Sequence, residues 1–460
     1  MTIATEEYIS ADLEPSYVSG KTYVTRRRVT HIDAAALLSI TMFLITVIPS
    51  RLIVPGMTDV GRPGLVFGLA LFVWWVLARF TTTLSMTGPQ PMRWALMVFL
   101  VSALISYAIG FMRGLTTIES NAADRMMLYV GVFSGILLTA ADGVPNWIRL
   151  RGVLKVVVAC AAVVAAIGIL QYVTKVDYTL YLSIPGLQVK TEAPVFEIRG
   201  SGIRVASTTT HYIELAAYLA MMLPFAIHFA LFAGTPQRRR TSAIMCLLIA
   251  AGVGVTLSRT GILSLGVVIL ALFPVWKWRT RFNIGVMTIA LVTGLSAVSS
   301  GLIRTLTGLF DNASDNSSIN ARTERYPMAF SYIAQRPWFG RGTGTWVPPQ
   351  YQVMDNQWLI TLLSTGIVGA ATIAALHITG ITLAGLAYRR ATEQADKHLC
   401  AALISTQLIA LMVSATFDSM SLSYSTYVMT LALMCGLCGT VWRLTHPART
   451  IRTSTTRWFM

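Results

Sequence analysis

Charge is what this sequence has least of. Asp, Glu, Lys and Arg make up 12% of its 460 residues, about half the ~25% of an ordinary soluble domain, which excludes a water-soluble globular protein of usual composition. Cysteine is also sparse. Cys160, Cys246, Cys400, Cys435 and Cys438 all fall inside apolar runs, and the CxxC made by the last two has no His or acid beside it. It therefore reads as packing, not as a redox pair or metal clip. Neither HExxH nor a Cys/His cluster occurs, so the usual ligand sets for zinc are missing, and no metal or cofactor is expected. The glycine run Gly340-Arg341-Gly342-Thr343-Gly344 is not followed by the lysine that a nucleotide loop needs, which leaves a tight turn. No internal repeat is visible, and this speaks against a transporter of the inverted-repeat type. The first 30 residues are polar and lack the apolar segment of a cleavable signal peptide.

What is present is hydrophobicity. Residues of apolar type make up 54% of the chain and mean hydropathy is +0.62. Long apolar runs recur from Ile32 to Leu444. Backbone groups in lipid must pair within the chain, and runs of this length mean helices, not a barrel. The expected fold is all-α and polytopic, with about twelve spans near 32–54, 64–80, 93–112, 125–141, 152–173, 210–232, 241–257, 260–276, 283–302, 357–388, 398–417 and 420–442. The seventh and eighth are close enough to form one long bent element. The tenth is overlong and should bend near Gly366 and Gly369.

The net charge of +16 does not call for nucleic acid. With Arg26-Arg27-Arg28 placing the N-terminus inside, 22 of the 36 basic residues fall on the cytoplasmic side, where the short loops are nearly free of acids. The remaining 14 lie outside with 12 of the 20 acids. That is the positive-inside pattern. The organisation is then a cytoplasmic tail (1–30), a helical domain (31–445) and a second cytoplasmic tail (446–460). Two long extracytoplasmic loops, 174–209 and 303–356, carry aromatics, glycines and prolines, and loops of that length tend to be functional.

Three outward-facing clusters could carry chemistry. In the larger loop, Tyr326, Ala329, Phe330 and Ile333 are spaced as an amphipathic helix, with Pro327 in its first turn and Pro337 as its stop. Arg322 and Arg325 then stand at a helix N-terminus, an anion site unless they pair with Glu324, Asp311 or Asp315. Asp355, at the mouth of the tenth span, could be a general base or, with Asn356, a helix cap. Second, Ser258-Arg259 separates two apolar runs, so Arg259 either snorkels to an interface or has a function. Third, Arg199 and Arg204 precede His211 and Glu214, which share a helix face as an acid–histidine pair or a capping network. Arginines facing outward without a metal suit a lipid-linked phosphate or pyrophosphate, and a carboxylate could deprotonate an acceptor hydroxyl. Charges collect at the outer rim rather than deep in the spans, which favours surface chemistry over the alternative of a transporter or flippase for a polyisoprenoid-linked substrate.

Four patterns, in order, resemble the bacterial O-antigen ligase and polysaccharide polymerase superfamily over roughly residues 200–370. They are Arg204 with Thr208–Glu214 and Pro224; Leu257-Ser258-Arg259-Thr260-Gly261; Arg322 through Pro337 to Gly340, Gly342 and Gly344; and Asp355-Asn356-Gln357-Trp358-Leu359 with Gly366 and Gly369. The resemblance implies a metal-independent, inverting glycosyltransferase in a bacterial plasma membrane, with its active site outside. Its donor would be an undecaprenyl-pyrophosphate-linked glycan, its acceptor a glycan or lipid-glycan hydroxyl, and its partners a flippase and other envelope-assembly proteins. Arg204, Arg259 and Arg322 would hold the pyrophosphate. Ligases that join glycan to lipid A-core carry a histidine where this chain has Asp355. That departure tilts the resemblance toward a polymerase for surface glycan or exopolysaccharide, and leaves the base among Asp355, His211 and Glu214.

Overall fold

The computed structural model describes residues 18–19, 22–23, 33–57, 59–80, 89–190, 196–199, 202–298, 324–348 and 350–446. Thirteen α-helices lie among them: α1 (Ala34–Thr46), α2 (Pro63–Ala78), α3 (Pro91–Met112), α4 (Thr117–Gly143), α5 (Trp147–Thr174), α6 (Tyr212–Phe232), α7 (Pro236–Val255), α8 (Arg259–Leu272), α9 (Trp278–Val298), α10 (Tyr326–Gln335), α11 (Gln357–Arg390), α12 (Gln394–Thr416) and α13 (Ser425–Thr445). Each of the twelve segments expected to span holds one helix; α10 is the additional one, in the larger loop. Seven of the described helices (α3, α4, α5, α6, α11, α12 and α13) are both long enough and apolar enough to cross a membrane. The all-α polytopic expectation holds.

The helices start where polar side chains can satisfy the first free N–H groups. Asp33 Oδ1 accepts from Ala36 N at 2.9 Å. Thr116 and Glu119 form a reciprocal capping box at the start of α4. Asn146 caps α5, Thr235 caps α7 and Ser258 caps α8. Burial separates centre from edge. In their most apolar stretches α13 is 89% and α6 83% buried, against 28% for α3. So α6 and α13 form the bundle axis and α3 lies on the lipid-facing periphery. The CxxC sits in the axis: Cys435 and Cys438 are fully buried, with Cys435 Sγ donating to Gln407 Oε1 at 3.4 Å.

Short antiparallel strand pairs order the described part of the first long loop. β3 (Leu52–Ile53) pairs with β4 (Gln188–Val189), and β5 (Phe196–Arg199) with β6 (Gly202–Val205); a further pair joins β1 (Val18–Ser19) to β2 (Thr22–Tyr23). Ser50 N donates to Thr208 O at 2.8 Å and Thr208 Oγ1 to Thr46 O at 2.7 Å. The loop is thereby tied down over the C-terminal end of α1.

Two expectations about helix shape are resolved. The seventh and eighth spans are separate helices, because the chain breaks at Thr256–Ser258, where Leu257 takes a left-handed φ of 50°. The tenth span, α11, is broken at Gly366, with φ 68° and ψ −167°, a region that essentially only glycine enters. A broken helix at membrane depth exposes backbone groups that must find partners, and the turn after α10 supplies them. Ile367 N and Val368 N donate to Pro337 O and Trp338 O, at 2.8 and 3.1 Å. Arg341 N and Gly342 N donate to Leu363 O and Ser364 O, both at 2.9 Å. The approach is so close that a Cβ on Gly366 would lie 2.4 Å from Trp338 C, and one on Gly340 2.5 Å from Ser364 C. The glycine run is thus a turn docked backbone to backbone into a helix break.

The amphipathic helix forms where its period places it and ends before Pro337. Its buried face is the expected one at Ala329 and Ile333 but not at Phe330. Ala329 is fully buried, in a small second core with Trp346, Met354 and Leu363, and Met328, Tyr332 and Ile333 pack on it. Phe330 is 55% exposed, in edge contact with Tyr326. The small core is filled by Trp346 from the following loop, a contact that helix period alone cannot show.

Candidate active site

Five separate pieces of chain meet at a cleft of about 540 Å³ lined by Glu197, Arg204, His211, Tyr212, Ile213, Ser258, Arg259, Thr260, Val353, Asp355, Phe417, Asp418 and Tyr424. Each functional side chain is placed by a local device.

Arg204 lies on β6 opposite Glu197 of β5. It is 5% exposed. Nη1 donates to the Tyr212 hydroxyl, the guanidinium lies 4.4 Å from the Tyr212 ring centre, and Glu197 Oε2 is 3.8 Å away. Arg259 is the first residue of α8. The left-handed Leu257, uncommon for a leucine, turns the chain so that Ser258 can cap the helix, its Oγ accepting from Gly261 N at 3.4 Å, while Arg259 faces the cleft.

Asp355 also has a positive φ, 51°, which aspartate tolerates better than most residues. The cap of α11 is Asn356, whose Oδ1 accepts from Leu359 N at 3.3 Å. The Asp355 carboxylate therefore points into the cleft instead of capping. Arg325 stands at the N-cap position of α10, donates through Nη1 to Val353 O and approaches Asp355 Oδ2 at 4.0 Å. Its acidic neighbour is thus Asp355. Arg322, Asp311 and Asp315 lie outside the described residues.

The loop carrying Asp355 is held from below. Glu119, 1% exposed, accepts at Oε1 from Arg113 Nη2 at 2.6 Å and from the Tyr351 hydroxyl at 2.8 Å. Tyr351 stacks on Trp346 with ring centres 4.5 Å apart. Gln357 N donates to Phe417 O at 3.1 Å and Gln357 Oε1 accepts from Met420 N at 2.8 Å, so the α12–α13 connection with Asp418 is stitched to the start of α11.

His211 and Glu214 part ways. His211 is the N-cap of α6, its Nδ1 accepting from Ile213 N at 3.3 Å. Burial lowers its pKa from the usual 6.5, against the opposite pull of Glu197 and Asp355. The ring is then neutral at pH 7. With Nδ1 accepting a backbone N–H, this ring placement puts the proton on Nε2, so the ring offers a donor. Glu214 does not line the cleft. It is fully buried, and its carboxylate accepts from Thr210 N at 3.0 Å, Thr426 N at 2.8 Å and Tyr427 N at 3.3 Å. The capping alternative describes it: Glu214 joins the start of α6 to the start of α13.

Sequence reasoning did not single out Asp418, Glu197, Tyr212, Phe417 or Tyr424. Asp418 had one available signal, since it is the only acid in the short connection between the last two spans. The others are recognisable only once the chain is folded.

An apolar cavity of about 350 Å³ adjoins the cleft and shares Val353 and Asp418 with it as walls. It runs between α3, α4, α11 and α13, past Phe99, Met126, Phe133, Ile373 and Leu376. Charge at one end and hydrocarbon-like walls behind it suit an amphipathic ligand.

No curated protein matches the chain. Residues 244–374, which hold Arg259, Arg325, Asp355 and the break in α11 at Gly366, match the family described as O-Antigen ligase, and over that region the chain is similar to it.

Proposed function

We propose that the protein transfers a glycan from an undecaprenyl-pyrophosphate carrier to an acceptor hydroxyl at the outer face of a bacterial plasma membrane, as a polymerase or ligase of surface glycan or exopolysaccharide. The match of residues 244–374 to the O-antigen ligase family supports a glycosyl-transfer enzyme acting on lipid-linked glycan. The observation that carries the finer reading is the convergence of Arg204, Arg259, His211 and Asp355 from distant segments on one cleft that adjoins an apolar cavity.

In this reading Arg204 and Arg259 hold the pyrophosphate, with Arg325 and Arg322 contributing from the larger loop. Their charge is worth most as the C–O bond to the sugar breaks and negative charge gathers on the leaving phosphate. Asp355 accepts the proton of the attacking hydroxyl. His211, presenting Nε2–H, donates a hydrogen bond to substrate. The acceptor oxygen attacks the anomeric carbon from the face opposite the pyrophosphate, so configuration inverts, and the proton leaves on Asp355. Glu214 acts at one remove, by fixing the helix starts on which His211 and Tyr424 sit. The cavity beside the cleft takes the apolar part of a lipid-linked substrate.

The test is to supply purified protein with lipid-linked repeat units and resolve the product on a gel. A ladder marks a polymerase, and a single transfer to another acceptor marks a ligase. Absence of any product, together with movement of the lipid across vesicles, would replace this reading with transport. Asp355→Asn removes the proton acceptor and should lower the rate about 100-fold or more; an unchanged rate would move the base elsewhere.

A further inference from the structure

One wall of the cleft is aromatic, and neither charge neutralisation nor proton transfer uses it. His211, Tyr212, Phe417 and Tyr424 all line the cleft and touch one another. Ring centres are 4.2 Å apart for His211–Tyr212, 6.1 Å for His211–Phe417, 5.9 Å for His211–Tyr424 and 4.6 Å for Phe417–Tyr424. Phe417 is 2% exposed and forms the floor; His211, Tyr212 and Tyr424 are partly exposed around it. The rings come from the N-terminal end of α6 and the α12–α13 connection, so the fold assembles the patch at the site itself. Opposite and beside it stand Arg204, Arg259, Asp355 and Asp418.

An aromatic floor ringed by charged hydrogen-bonding groups is complementary to a ligand with one apolar face and a polar rim. A lipid chain lacks the rim, and a bare pyrophosphate lacks the face. A pyranose has both: its axial C–H groups can lie on the negative face of an aromatic ring, while its equatorial hydroxyls reach carboxylates and guanidiniums at the periphery. We infer that Tyr424, with Phe417 and His211, forms a platform on which a pyranose ring of the glycan stacks during transfer. The inference rests on reading the cleft as a glycosyl-transfer site. It adds residues that select the sugar, as distinct from those that hold the phosphate. Tyr424 is the member most open to test, because Phe417 is buried and His211 also caps α6.

The experiment uses the full chain in detergent micelles with two kinds of probe. Saturation-transfer NMR with a panel of methyl pyranosides and glucose 1-phosphate reads the sugar, and phosphorus line broadening of inorganic pyrophosphate reads the anion site. At least one pyranoside should receive saturation at the C–H groups of one face. Tyr424→Ala should weaken that binding about fivefold to tenfold, the size of one aromatic contact, and Tyr424→Phe should restore it. Pyrophosphate binding should survive Tyr424→Ala and fall in Arg259→Ala. A sugar signal from the free methyl glycoside assigns the platform to the acceptor; a signal only from the sugar phosphate, lost in Arg259→Ala, assigns it to the donor. A pyranoside signal unaffected by Tyr424→Ala, or absent while pyrophosphate binds, overturns the platform and leaves the transfer reading standing. Pyranoside binding without any pyrophosphate site overturns the transfer reading and leaves the platform.

Discussion

Replacing Glu214 by glutamine is the sharpest test of whether this buried acid serves the chemistry or the scaffold. The carboxylate accepts three backbone N–H groups, one at Oε2 from Thr210 and two at Oε1 from Thr426 and Tyr427. A glutamine can keep its oxygen toward Thr426 and Tyr427, but its NH2 then faces the Thr210 N–H, donor against donor. The flipped amide is worse, since it leaves two donors without an acceptor. One buried donor stranded in this way costs about 1–3 kcal/mol. The bonds to Thr426 and Tyr427 are kept, so the stranded donor sets the cost, a sizeable share of a typical folding free energy of ~5–15 kcal/mol. Thermal unfolding of the purified protein in detergent should therefore shift clearly downward, with Glu214→Ala shifting further. Transfer rate per folded molecule should change little below the new midpoint. An unfolding curve identical to wild type, with transfer reduced a hundredfold, would refute this reasoning and return Glu214 to the chemistry.

Arg259→Ala should lower the transfer rate about 100- to 1,000-fold, the usual cost of removing one group that stabilises developing charge. Arg259→Lys, which keeps the charge but not the planar fork, should recover only part of it; full activity in the alanine variant would remove Arg259 from the mechanism. Gly366→Ala should destabilise the protein by about 2 kcal/mol or more, since its backbone angles alone cost ~1–3 kcal/mol for other residues and the new Cβ would strike Trp338 C at 2.4 Å. Unfolding in detergent reads this directly. His211 sets an acid limit. Its pKa lies below the usual 6.5, chiefly through burial, so the unfolded chain binds a proton first as pH falls. Stability from the neutral ring is complete above about pH 7 and is lost as pH drops through ~6.5 toward the folded value. Thermal midpoints measured at pH 7.5 and 5.5 should differ more in wild type than in His211→Gln.

The helices were legible because each is a long apolar run that lipid forces to pair its own backbone. The ends of α10 were legible from Pro327 and Pro337, and the bend in α11 from its length and Gly366. The buried face of α10 was legible at Ala329 and Ile333 but not at Met328 and Tyr332, because Trp346 and Met354, which fill its core, belong to no periodic segment. Arg204, Arg259, His211 and Asp355 were recognisable as polar or charged residues at the ends of apolar runs, and the fold brings these four to one cleft. Tyr424 entered only through folding, since its distance in sequence from Arg204 hides that both line one cleft, whereas Asp418 was marked only as the lone acid between the last two spans. Glu214 looked catalytic for the same reason that it can cap a helix. An acid at a helix start is equally suited to either role, and its decisive partners, Thr426 and Tyr427, lie more than two hundred residues away.

The docking of the Pro337–Gly342 turn into the break of α11 has a consequence for how such a protein can diversify. Four backbone hydrogen bonds join residues 337–342 to residues 363–368, so the chain between them closes into a ring, and Asp355 sits on that ring. Backbone contacts of this kind make little demand on side-chain identity beyond Gly340, Gly342 and Gly366. The ring therefore behaves as a cassette with its own fixed geometry. The sequence ahead of it can lengthen, shorten or change charge to suit a different glycan while the carboxylate stays where it is. The position of the Asp355 carboxylate is in this way mechanically uncoupled from the length of the sequence ahead of the ring.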